Sequence, residues 1–78
     1  MSLIKKPTTL IDSTTDSNYM YIGKCIATGI TTPNTNDEIW EITRITMVDG
    51  EATEIKNGIN KNNTAYLAWD QRTTYNYI

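Results

Sequence analysis

Few side chains in this 78-residue sequence are of a kind that makes or breaks bonds. There is one cysteine, Cys25, and no histidine. A serine or cysteine nucleophile normally hands its proton to an imidazole, so Ser/His and Cys/His arrangements are excluded. The usual zinc ligand sets go with them, and a lone cysteine rules out an internal disulfide. Cys25 lies in an apolar, strand-like run and reads as a small buried hydrophobe. Asp12, Asp16 and Asn18 carry oxygen ligands at loosely metal-like spacing, but without the glycine and distal glutamate of a calcium loop they read as a turn. Asp37-Glu38 offers two carboxylates for acid–base work, yet at the entry to a strand it reads as a solvated pair. Asn62-Asn63-Thr64 is a formal glycosylation sequon that a cytoplasmic chain would leave unused. No glycine-rich phosphate loop is present. The expectation is a non-enzyme with no cofactor and no metal.

What remains is chemistry of contact. Trp40, Arg44, Trp69, Asp70, Arg72, Tyr75 and Tyr77 are the candidates, either closing the fold or anchoring an interface. Tyrosine and tryptophan are enriched in interface cores because they join large area to a polar handle. Arg72 is placed to stack on an indole, and Asp70, two residues away, is its ion-pair candidate. Chain ends fray unless held, so the aromatic stretch Trp69–Ile78 is expected to dock on its own domain or on a neighbour.

The elements that would position these residues are β-strands. Threonine and isoleucine are abundant, phenylalanine is absent, and leucine occurs only at Leu3, Leu10 and Leu67. β-Branched and aromatic residues suit a pleated surface and lose rotamer freedom in a helix. Leu3–Ile4 and Thr8–Ile11 are expected as short N-terminal strands split by Pro7, and Ser13–Asn18 as a turn. Tyr19–Thr28 is the first long strand, with Met20, Ile22 and Ile26 on one face and Tyr21, Gly23, Cys25 and Ala27 on the other. Gly23 and Ala27 leave room there for an indole. A loop over Gly29–Asp37 leads to Glu38–Val48, where Ile39, Ile45 and Met47 alternate with Trp40, Ile42 and Val48. A strand apolar on both faces is central, or has one face covered by a partner.

Asp49-Gly50 signals a type I′ hairpin into Ala52–Lys56, with Arg44 facing Glu51 or Glu54 across the ladder. Asn57-Gly58 reads as a second turn, Thr64 or an asparagine before it as the cap of a short helix over Ala65–Trp69, and Thr73–Ile78 as a closing edge strand. The fold class is therefore mainly β: a small antiparallel sandwich or barrel-like domain with one short helical segment near residues 63–70. Residues 1–18 are expected to form an N-terminal arm or short strands, and 19–78 a single domain.

Size and charge narrow the function classes. A chain of 78 residues buries only about 60–65% of its unfolded surface, and small domains usually add disulfides, metals or oligomerisation. With the first two disfavoured, assembly is the expected supplement. Seven Lys and Arg against nine Asp and Glu leave no basic stripe for nucleic acid; Lys5-Lys6 is the only adjacent basic pair. No run approaches the roughly 18 apolar residues of a membrane span, and no signal peptide is visible.

Three stretches resemble a known group. Tyr21-Ile22-Gly23-Lys24 with Ala27, then Trp40-Glu41-Ile42-Thr43-Arg44-Ile45, then Trp69-Asp70-Gln71-Arg72-Thr73-Thr74-Tyr75 are similar to small proteins of tailed bacteriophages and prophages. There a Tyr-Ile-Gly start, a Trp-x-Ile-x-(Lys/Arg)-Ile strand and a terminal Trp-Asp-x-Arg recur in that order. The likeness spans residues 19–77. Two departures stand out: the group often has a second Trp where Ile55-Lys56-Asn57-Gly58 stands, and Phe where Asn60–Asn63 stands. The resemblance implies a virion structural protein made in the host cytoplasm, with other phage structural proteins and copies of itself as partners. It carries over no catalytic residues. The alternative expectation, from another class, is a soluble phage-encoded adaptor or inhibitor of a host protein.

Overall fold

The computed structural model of the chain describes residues 8–27, 29 and 32–78. Its elements are β1 (Thr9–Asp16), β2 (Tyr19–Cys25), β3 (Glu38–Val48), β4 (Glu51–Ile59), β5 (Leu67–Ala68), a single 3-10 turn (Trp69–Gln71) and β6 (Asn76–Tyr77). They form one sheet in the order β1-β2-β3-β4-β6, with β5 beside β3. Every pairing is antiparallel. The mainly β class is as the composition implied. The expected strand over Leu3–Ile4 and part of the Gly29–Asp37 loop lie outside the described residues.

β3 has the expected bounds, and Asp49 (φ 51°) and Gly50 (φ 81°) both take the left-handed backbone that a type I′ turn requires. Other expectations are corrected. Only Ser17 and Asn18 turn between β1 and β2; the strand continues through Ser13–Asp16. The Asp12 carboxylate accepts the N–H groups of Thr14 (3.0 Å) and Thr15 (3.1 Å). That local capture produces an irregularity between Asp12 and Asp16, after which pairing resumes at Asp16 opposite Tyr19. β1 thereby belongs to the same sheet as the strands after it.

Asn57-Gly58 is not a turn. Both residues lie in β4, with Asn57 opposite Thr43 and Gly58 opposite Tyr77. A Cβ on Gly58 would stand 2.7 Å from Leu67 Cδ1 and 3.0 Å from Tyr77 Cε1, so glycine is needed for close approach rather than for a bend.

The helix expected over Ala65–Trp69 is also corrected: Leu67 and Ala68 pair with β3, and the helical turn begins only at Trp69. Asn60 is responsible. Its Oδ1 accepts the N–H groups of Asn62 (2.9 Å) and Thr64 (3.1 Å), while its Nδ2 donates to the Tyr66 carbonyl (3.0 Å). This amide organises a tight loop that returns the chain along β3, leaving Thr64 no helix to cap. The closing strand is shorter than expected, two residues, but Asn57 and Ile78 exchange a further pair of backbone hydrogen bonds at 3.0 Å.

The core is one-sided. Tyr21, Gly23 and Cys25 of β2 and Trp40 and Ile42 of β3 are buried on the inner face. Leu67, Ala68, Trp69 and Tyr77 from the C-terminal segment lie over them. The outer face has no covering element among the described residues. Register places Ile11 opposite Ile22, Met20 opposite Ile45, and Ile45 opposite Ile55. Directly opposed residues share a face, so these five form one apolar band across four strands. Its two flanks are open: Ile11 is 66% and Ile55 67% exposed.

Candidate interaction surface

The C-terminal segment is fixed by named contacts. The Trp69 indole lies on Gly23, where an added Cβ would collide with Cε3. It is tilted against Trp40 at 6.4 Å between ring centroids. Trp40 is itself 1% exposed and donates its indole N–H to the Asn34 carbonyl at 3.2 Å. The Tyr75 hydroxyl accepts the Ala68 N–H (2.9 Å), and the Tyr77 hydroxyl donates to the Arg72 carbonyl (2.6 Å). Trp40, Trp69, Tyr75 and Tyr77 are therefore brought together as fold-closing residues.

Arg72 stacks on Trp69, with its guanidinium carbon 4.6 Å from the ring centroid. Its expected ionic partner, Asp70, is exposed and makes no ion pair among the described residues. The partner is Asp12, sixty positions earlier in the chain: Nε and Nη2 donate to Asp12 Oδ2 at 3.0 and 2.9 Å. Nη1 donates to the Trp69 carbonyl at 3.0 Å. The side chains are only 19% (Arg72) and 9% (Asp12) exposed. Sequence reasoning placed Asp12 in a turn and missed it. The signal was the alternation: Leu10 and Asp12 pair with Gly23 and Tyr21, which puts both on the inner face.

The pair has a consequence for acid stability. The Thr15 hydroxyl, the N–H groups of Thr14 and Thr15 and the Arg72 guanidinium together hold the Asp12 carboxyl well below the usual carboxylate range, against the opposing effect of burial. A group depressed in the folded state stabilises the fold above its unfolded pKa, about 3.9 for aspartate, and that stability is lost as pH falls through the folded value. Urea midpoints are therefore expected to drop as pH falls below about 4. In Asp12→Asn that part of the decline is expected to vanish. An unchanged acid profile in the variant would show that Asp12 is not ionically engaged.

Arg44 departs from expectation in a different way. Neither Glu51 nor Glu54 meets it: register sets Arg44 opposite Lys56, and Glu54 pairs with Lys56 at 3.4 Å. Arg44 instead lies between two rings, 4.3 Å from the centroid of Tyr19 and 4.6 Å from that of Tyr77. The Asp49-Gly50 turn sets Glu51 opposite Val48, and the irregularity between Thr46 and Met47 then slips the register by one residue, which places Lys56 rather than Ile55 opposite Arg44.

Two surface regions thus remain without partners among the described residues. One is the apolar band of the outer face, the other the Arg44 edge on the inner side. Elsewhere the described residues include no cluster of three or more cysteine, aspartate or glutamate side chains close enough to share a metal ion. Cys25 is buried, its thiol 3.7 Å from the Ala27 carbonyl. Comparison with protein-family models, with curated proteins and with solved structures finds no match.

Proposed function

We propose that this chain is a small, multi-copy structural component of a bacteriophage virion that acts through protein–protein contacts. Capsid decoration, a collar or tail subunit and a fibre module all fit. The observation that carries the reading is the apolar band Ile11–Ile22–Met20–Ile45–Ile55 on an uncovered sheet face. An antiparallel sheet with one face in water normally alternates apolar-in and polar-out. Here five outward positions are apolar among polar neighbours such as Lys24, Glu41 and Thr43, and a contiguous apolar patch marks a contact site. The molecule's Cα extents, 43 × 32 × 17 Å, give it the form of a slab. Its broad face offers the roughly 800 Å² that each partner contributes to a standard interface. The order of the Tyr21-Ile22-Gly23, Trp40-to-Ile45 and Trp69-Asp70-Gln71-Arg72 motifs supports the phage setting.

Quantitative mass spectrometry of purified particles from the encoding phage or prophage tests this, alongside the protein's mass in solution. The expected result is several copies per particle. A stable monomer absent from particles would contradict it and favour a soluble adaptor that binds a host protein.

A further inference from the structure

Arg44 is a cation whose position is fixed but whose hydrogen-bonding capacity is unused. Tyr19 and Tyr77 hold the guanidinium between them. Its Nε is shielded from solvent and has no hydrogen-bond partner among the described residues. The two terminal nitrogens make no hydrogen bond or ion pair among the described residues and are not buried, so they open to the surface. A shielded donor left unpaired is costly, and native structures nearly always satisfy such groups. The neighbouring position sharpens the imbalance. Lys56 sits directly across the ladder on the same face, and like charges so placed repel. Lys56 has Glu54 to offset it; Arg44 pairs with no carboxylate among the described residues.

We propose that Arg44 is an anchoring site for a carboxylate, supplied by an acidic side chain of a neighbouring protein chain. The proposal rests on the assembly reading above and names the chemistry of one contact in it. A guanidinium held between two rings presents its remaining donors as a planar fork at its outer edge. That fork matches the two oxygens of a carboxylate. The rings also fix the side chain beforehand, so little rotamer freedom is lost on binding. A nucleic-acid phosphate is disfavoured because binding along a phosphate backbone draws on many cations, and this chain has seven Lys and Arg against nine Asp and Glu. Arg44 lies on the inner side of the sheet and the apolar band on the outer. The subunit therefore carries two contacts facing opposite ways, as a member of a continuous array requires.

The test reads the site directly in the wild-type chain. Arginine Nε–Hε resonances are followed by NMR during titration with sodium acetate and, separately, inorganic phosphate, with chloride holding ionic strength constant. Acetate is expected to shift the Arg44 resonance saturably, with a dissociation constant on the order of 10 mM. The Arg72 resonance, already engaged by Asp12, should stay in place and serves as the internal control. In Arg44→Lys, with folding checked by circular dichroism, acetate binding should weaken about tenfold because the fork is gone. No saturable shift at Arg44, or equal shifts at Arg44 and Arg72, would overturn the proposal. Phosphate binding more tightly than acetate would overturn it in favour of a phosphoryl ligand. Each outcome is independent of whether the protein is found in particles.

Discussion

Trp69→Ala is expected to lower the thermal midpoint by at least about 12 °C, and in warm buffer to leave the chain unfolded. Truncating a buried tryptophan costs about 3–5 kcal/mol. A chain of this length has in total about 4–12 kcal/mol of stability, at the usual per-residue range. The loss is thus comparable with the whole. It falls on a residue with several roles at once. The indole fills the space left by Gly23, meets Trp40, and supports the Arg72 guanidinium. Small relaxation cannot close the gap, because the Gly23 backbone has no side chain to move into it. Circular dichroism and thermal melts check the expectation. A variant that stayed folded and lost only assembly would instead make Trp69 an interface anchor.

The second large effect is expected at the Asp12–Arg72 pair. Asp12→Ala should cost about 3 kcal/mol, because it leaves a mostly buried guanidinium without its counter-charge. Arg72→Met should cost a similar amount by stranding the carboxylate. The double variant should lose clearly less than the two together, since it leaves no uncompensated charge. Denaturant unfolding of the four proteins gives the coupling. Strict additivity would mean that the pair is not a unit. The location explains the size of the effect. The bridge ties β1, at one edge of the sheet, to the turn that precedes β6 at the other. A surface ion pair such as Lys56–Glu54, 37% and 51% exposed, should by comparison contribute under about 1 kcal/mol.

How much of this was legible in the sequence depended on how local each cause is. β3 and the Asp49-Gly50 turn were readable because alternation and turn chemistry are written in adjacent residues. So was the room above Gly23, since a small residue in a strand of large ones invites a ring. Gly58 misled because the same residue type serves two purposes. Its neighbours Leu67 and Tyr77 come from later in the chain, and a dipeptide reading has no access to them. Asn60 misled in the opposite sense. Its side chain sets the course of the next six residues, but a run of polar residues looks uniformly loop-like from outside.

The candidate surface divides in the same way. Trp40, Trp69, Tyr75 and Tyr77 announced themselves by type, and the fold turns them inward. Arg72 was marked as a stacking residue, while its true partner Asp12 lay beyond the reach of spacing arguments. Arg44 was assigned a cross-strand carboxylate, but the register sets Lys56 opposite it, Glu54 opposite Thr46 and Glu51 opposite Val48. A one-residue slip cannot be read from either strand alone.

The proposed assembly role requires the outer sheet face to be covered by a neighbouring subunit. Its most direct test is the number of copies per purified particle for an Ile11→Lys/Ile55→Lys variant beside the wild type. Both side chains are exposed, so the double substitution should alter folding stability by no more than about 1 kcal/mol, two surface changes together. The predicted result is a folded protein whose incorporation falls about tenfold or more. Incorporation at the wild-type level would show that this face is not a subunit contact.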